Sequence, residues 1–555
     1  MKKVVLAAAL AMAAIVAQSP QAMAQTACPT APTPITITGS ISSNTTWSSS
    51  NIYLLSGFVY VESGATLTIQ PGTIIKGDKP SKGTLIVRQG GKLNAIGTAS
   101  APIVFTSNQP AGTRDRGDWG GVILCGKAPQ NIPATSTQPL PQIEGGPNAF
   151  FGGNDPADNS GTLQYVRIEF GGVALTPNNE INGLTFGGVG NGTIIDHIQV
   201  SYSGDDSYEW FGGTVNCKYL ITFRGLDDEW DTDNGFSGKV QFGVALRDPD
   251  IADVSGSNGF ESDNDANGST NLPQTQAVFS NMSNFIAQPT AGNTLASDYK
   301  RGMHIRRNSA ESVFNSVSVG YPVGLLLDGT LSEQNAAAGS LVLKGNVFAG
   351  YAAAKKATVN TGSTFNVKQF LGSTNDTTAT VASLGLNARN LTLVNPAFVP
   401  QTTSPLATGA NFTDAKLLNT FFTPVTYRGA FNPAGGPGAD WTAGWSNFDP
   451  QITCYNRPGS TLATKSAADK SLEMGVYPNP ATGAAKLSFA LRTATTATVR
   501  VLDATGRLVA TVAANQKLAA GPQLLALPAG LAPGLYMATV ITPETTESVR
   551  FVVAE

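Results

Sequence analysis

The chain has 555 residues, with 35 Lys and Arg against 38 Asp and Glu, a net charge of −3, and only 13% charged residues. An average globular protein has roughly 25% charged residues, and no basic surplus exists here to neutralise a phosphate backbone, which argues against a nucleic-acid partner. Sixty Gly and 33 Pro call for many turns, and the length suits an all-β protein of two or three domains.

The first elements are a targeting signal. Lys2 and Lys3, the apolar run Val4 to Val16 and the small-x-small triplet Ala22-Met23-Ala24 predict a signal peptide over residues 1–24. The apolar run is shorter than the ~20 residues of a spanning helix. No later stretch qualifies, so no transmembrane segment is expected. Export permits disulfides among Cys28, Cys125, Cys217 and Cys454. Three pairings are possible for such a set. The expected ones are Cys125 with Cys217 inside the main body and Cys28 with Cys454 across its ends, free buried thiols being the alternative.

Short β segments then follow one another: Phe58–Val61, Ala65–Gln70, Thr73–Lys76, Thr84–Arg88, Lys92–Ile96 and Ile103–Thr106. The turn formers Ser63-Gly64, Pro71-Gly72, Gly77-Asp78 and Gly90-Gly91 separate them. Such strands suit a sandwich or a β-helix, and a repeat decides. Ser207–Phe211, Glu229–Asp233, Gly259–Asp263, Gly302–Arg306 and Gly324–Asp328 align with their third positions at 209, 231, 261, 304 and 326; Thr185 lies 24 before the first. Steps of 22, 30, 43 and 22 are those of a solenoid coil lengthened by insertions. The stretches "SGFVYVESGATLTIQPGTIIKG", "GTLIVRQGGKLNAIGTASAPIVFTS" and "GDWGGVILCGKAP" resemble the opening coils of bacterial surface β-helix proteins, and "DWTAGWSNFDPQ" (Asp440–Gln451) resembles the tail of that family. The resemblance implies a right-handed parallel β-helix over residues 25–455 and informs fold far more than activity.

Fourteen of the 38 carboxylates fall between Asp205 and Asp265. If the coils stack, Glu209, Asp231, Glu261 and His304 form one column, with Phe211, Asp233, Asp263 and Arg306 in a second beside it. Like charges roughly 4.7–4.9 Å apart require a cation, a proton or an arginine between them. Ca²⁺ suits this ligand chemistry, and Asp227, Asp228, Asp231, Asp233, Asp263 and Asp265 are its expected ligands. Asp231-x-Asp233-x-Gly235 is not an EF-hand, because the distal Glu is misplaced and flanking helices are missing.

The same column suggests chemistry on a polysaccharide. Glu209, Asp231, Glu261, His304 and Arg306 are the candidate acid, base and anion-clamp residues, with Tyr208, Trp210, Trp230 and Phe260 stacking on sugar rings. The ordered signatures of polygalacturonases, pectin methylesterases and pectate lyases are missing, and fold alone does not confer their activity. The leading expectation is therefore a non-enzymatic surface protein that binds a glycan or another partner. The alternative is a lyase or glycoside hydrolase acting on an acidic polysaccharide. His197 and His304 are the only histidines, too few to suggest a zinc site. His197 reads as structural, and His304 as salt-bridged or a proton donor. No nucleophile elbow accompanies them.

Residues 456–473 are polar and aperiodic, a linker. Beyond it, "YPNP" at Tyr477–Pro480, "DATGR" at Asp503–Arg507 and "PGLY" at Pro533–Tyr536 make residues 474–555 similar to a type A C-terminal sorting domain of type IX secretion. That resemblance implies the secretion machinery as a partner, then attachment to the outer surface or release. Alternating apolar residues and tight turns separately predict a small seven-strand immunoglobulin-like sandwich. A carbohydrate-binding module of that type is the alternative.

Overall fold

The computed structural model describes residues 28–460, apart from 137, 177–178, 288–293, 388, 394 and 437, and residues 472–554, apart from 473, 478, 480, 482, 484, 492–493, 504–506, 520 and 543–545. The signal peptide, most of the linker, and positions 478, 480 and 504–506 of the tail motifs lie outside them.

From Ile35 to Val359 the chain winds into a parallel β-helix. Each coil adds one strand to each of three sheets. The front sheet stacks Thr84–Val87, Gly121–Cys125, Leu184–Gly187, Tyr208–Phe211, Trp230–Asp233, Ser257–Ser262, Tyr299–Ile305, Val323–Leu327 and Ala357–Val359 in parallel register. The other two sheets share long strands through the middle coils: Gly161–Glu169, Ile194–Ser201, Asn216–Phe223, Lys239–Arg247 and Val278–Ile286. Alternation along each strand turns Leu85, Val87, Val122, Leu124, Leu184 and Phe186 into the lumen, each fully buried.

The long strands bend where they pass from one sheet to the other. Tyr165, His197, Tyr219, Phe242, Asn281 and Asn315 occupy this corner coil after coil, with φ between 50° and 63°. Left-handed backbone costs roughly 1–2 kcal/mol for most residues, Asn less. Ring stacking offsets it. His197 lies between Tyr165 and Tyr219 at centroid distances of 4.4 and 4.5 Å.

After the last coil, the helix Val367–Gly372 covers the end. Residues 429–456 then return along the corner as a strap. Gly429 N–H donates to Asn315, and Ala430 N–H to Ser283 Oγ. Trp441 and Trp445 meet His197 edge-on, Asn447 exchanges two bonds with Gln199, and Arg114 donates to the carbonyls of Pro450 and Thr453. The Cys28–Cys454 disulfide, separated by 426 residues, ties the strap to the first coil as expected. The expected Cys125–Cys217 bond is corrected: both thiols are free and buried. Cys125 points out of the front sheet into a satellite cluster with Ile123 and Phe211, whereas Cys217 points into the main lumen.

The tail folds as two antiparallel sheets. Gly475–Tyr477, Lys486–Leu491 and Gly521–Ala526 form one; Thr495–Asp503, Leu508–Leu518, Gly534–Ile541 and Thr546–Val553 form the other. Leu487, Phe489, Val499, Val501, Val540 and Phe551 fill the core between them.

Candidate functional site

The outward column of the front sheet runs Ile86, Ile123, Thr185, Glu209, Asp231, Glu261, His304, Leu326 in direct register. Its first part is apolar and lies under residues Ile143, Ala149 and Phe151 of a long loop. The second part is the acidic wall that the repeat predicts. Thr185, directly below Glu209, is 1% exposed and its hydroxyl has no partner among the described residues.

A further ladder sits three residues before this column, at Asn182, Asp206, Asp228 and Asn258. Asn182 Oδ1 accepts from Asp206 N–H at 3.2 Å, Asp206 Oδ1 from Asp228 N–H at 2.7 Å, and Asp228 from Asn258 N–H. Each side chain thus caps the turn of the next coil. Asp206 spends one oxygen on this architecture, and Asp228 both, its Oδ2 accepting from Asn258 Nδ2 at 3.3 Å. Three overlapping groups result: Asp205, Asp206 and Asp227; Asp206, Glu209 and Asp231; Asp228, Asp231 and Glu261. Within each, one oxygen per residue lies within 4.8 Å of the others. Asp205 and Asp206 were not among the expected ligands; the signal for Asp206 was the offset of three residues shared with Asn182, Asp228 and Asn258, and Asp205 precedes it as Asp227 precedes Asp228.

The chain's own cations gather at one end of this wall. Arg306 pairs with Glu261 and, at 2.7 Å, with Asp263; Arg307 lies 2.8 Å from Asp263. His304 bridges Glu261 and Asp328 at 3.1 Å each. Although burial opposes it, Glu261 is held below the usual carboxylate range by His304 and Arg306. Asp328 is lowered by its His304 hydrogen bond. At the other end no ion pair forms among the described residues, and the nearby Arg247 is paired with Glu229. Burial first, then neighbouring carboxylates, push Asp205, Asp206, Glu209, Asp228 and Asp231 well up, and burial lifts Asp227 to about 6. Two unit charges 4.8 Å apart repel by about 3–4 kcal/mol at an effective dielectric near 20, so these groups cannot all ionise without a compensating charge.

The expected ligands divide accordingly. Asp227, Asp228 and Asp231 come together in the wall. Asp263 is committed to arginines, Asp265 accepts from the N–H groups of Asn267 and Ser269 in its own loop, and Asp233 accepts from Asn234 N–H. Asp233 and Asp265 instead line a trough of about 590 Å³ beside the wall, with Glu144, Asn179, Phe211 and Asn271. The sugar-stacking expectation is corrected. Tyr208, Trp210, Trp230 and Phe260 are at most 1% exposed and stack on one another inside the lumen, Tyr208 on Trp230 at 5.4 Å. The alternation that turns Glu209 outward turns them inward.

A sequence profile described as a pectate-lyase-like β-helix domain matches residues 39–446, well over half the chain. This chain belongs to that β-helix family. Residues 475–554 match a secretion system C-terminal sorting domain, so the family member is carried out by type IX secretion and is secreted or displayed on the outer surface. Among the described residues no helix is long and apolar enough to cross a membrane. No curated protein matches the chain. Among solved structures the Dettilon tailspike protein is similar at 9% identity and a TM-score of 0.25, over 57% of this chain and 61% of the tailspike.

Proposed function

We propose that this secreted β-helix protein binds divalent cations, Ca²⁺ foremost, on its front wall and through them holds an acidic glycan without cleaving it. The observation that carries the reading is the pair of overlapping groups, Asp205 with Asp206 and Asp227, and Asp206 with Glu209 and Asp231, none of whose members is ion-paired among the described residues. Ca²⁺ takes six to eight oxygen ligands. Asp206 and Asp231 would supply the shared ones, with Asp205, Asp227, Asp228, Glu209 and Glu261 at the margins. The bound ion would supply positive charge beside a trough lined by acids and amides, which by itself repels a polyuronate. A binding role without cleavage is favoured because the two candidate base and clamp groups are engaged: Arg306 with Glu261 and Asp263, His304 with Glu261 and Asp328.

One observation favours hydrolysis as a second reading. Asp231 is pushed up while Glu261, within 4.8 Å, is pulled down, and carboxylates driven apart in this way serve as acid and base in glycosidases. The test is titration of the mature protein with Ca²⁺, then with polygalacturonate and neutral polysaccharides, with and without chelator. The expected result is Ca²⁺ uptake lost in Asp231→Asn and polyuronate binding lost in chelator, with no new chain ends. New reducing or unsaturated ends would overturn the binding role, and unaltered Ca²⁺ uptake in Asp231→Asn would overturn the site.

A further inference from the structure

A second cavity, of about 520 Å³, opens nearer the first coils, where Glu62, Arg88 and Gln89 meet the loop residues Gln138, Asn148 and Phe150. From the strand Thr84–Val87, which leads into Arg88, three coil steps reach Tyr208–Phe211, roughly 14 Å at the ordinary strand spacing. The two cavities share no lining residue, although the loop that carries Phe150 and Phe151 contributes to both.

The chemistry of this one differs from the wall. The Arg88 guanidinium lies 4.1 Å over the Tyr60 ring and donates to both Glu62 oxygens at 3.0 Å, so the pair cancels its own charge. Arg88 Nε is buried with no partner among the described residues. Tyr60 O–H donates to Pro147 at 3.0 Å and pins the loop to the coil. Gln89 spends its amide N–H groups on the carbonyls of Gly126 and Gly152. Its Oε1, and the side-chain amides of Gln138 and Asn148, take no protein partner among the described residues. Phe150 is 40% exposed while its neighbour Phe151 is 1% exposed.

We infer that this cavity binds a neutral sugar unit. Unspent planar amides offer donor and acceptor together, as vicinal hydroxyls require, and an exposed ring beside them covers the apolar face of a pyranose. The volume falls in the ordinary range for ligand sites. Among the lining residues the charges cancel, because Glu62 already occupies Arg88, and the nearest further cation, Lys127, stands outside the lining beside Gly90. An apolar ligand would leave the amides unpaired.

The inference is independent of the cation wall, and its test is run in chelator. Full-length protein is titrated calorimetrically with cellohexaose, xylohexaose, maltohexaose and mannohexaose. At least one binds; Phe150→Ala weakens it tenfold or more, Phe150→Trp preserves it, and Gln138→Ala with Asn148→Ala weakens it several-fold. Asp231→Asn leaves it unchanged, and Phe150→Ala retains the parent melting temperature. Failure of all four sugars at millimolar concentration, or parental affinity in Phe150→Ala, would overturn the site. Loss in Asp231→Asn would reassign the sugar to the wall.

Discussion

The corner column and the front column are built by the same stacking, yet they end in opposite states. At the corner, Gln199, Gln241, Asn281 and Asn315 each bond the returning chain, and His197 sits among four aromatic rings. On the front, Asp206, Glu209 and Asp231 face one another with no bond to the returning chain among the described residues. Stacking multiplies whatever side chain it repeats. A covering segment turns the multiplied groups into structure, and its absence leaves them for a ligand.

Four experiments would break or sharpen that contrast. The largest effect belongs to the covered side. Trp445 is 1% exposed and packs edge-on against Tyr165 and His197, so Trp445→Ala should cost about 3–5 kcal/mol in denaturant unfolding and render residues 429–456 protease-sensitive. Cys28→Ser with Cys454→Ser comes next. Native disulfides contribute about 2–5 kcal/mol, and the loss should be read from the melting transition; an unchanged transition would mean the strap seats without its bond.

The open side should respond to ions instead. Ca²⁺ at a hundred times its dissociation constant should stabilise the protein by about 2.7 kcal/mol, and Asp231→Asn with Glu209→Gln should abolish the gain. The smallest effect is on pH. Groups such as Asp227, lifted from 3.8 to about 6, bind more protons folded than unfolded between those values, so stability falls as pH rises through that window. Glu261 and Asp328 are lowered and act in the opposite sense, losing their contribution as pH falls through their folded values. The lifted groups outnumber them, so in chelator the melting temperature should rise from pH 7 to pH 5, and saturating Ca²⁺ should flatten the trend.

The wall was legible because its information is periodic: steps of 22, 30 and 43 residues from Glu209 through Asp231 and Glu261 to His304 fix both coil and face. The same rule was available for Tyr208 and Trp210. It places them in the lumen, and assigning them to a sugar overrode the alternation. Asp206 was legible in principle as part of a second column at the same steps. The strap was not. Its hold comes from main-chain carbonyls meeting Arg114 and Gln199, and main-chain partners leave no pattern in side-chain identity. Cys125 and Cys217 show the same limit, since cysteine counting does not reveal which sheet face each thiol occupies.

The strap reverses the order in which the body is completed. The segment that closes the first coil is almost the last of the body to be made, because Cys454 must reach Cys28 across every intervening turn. A chain truncated anywhere before Cys454 would leave the seam open beside the earliest coils, however well the later ones had formed. The same path brings Asn456 back to Pro29, so the body begins and ends at one pole.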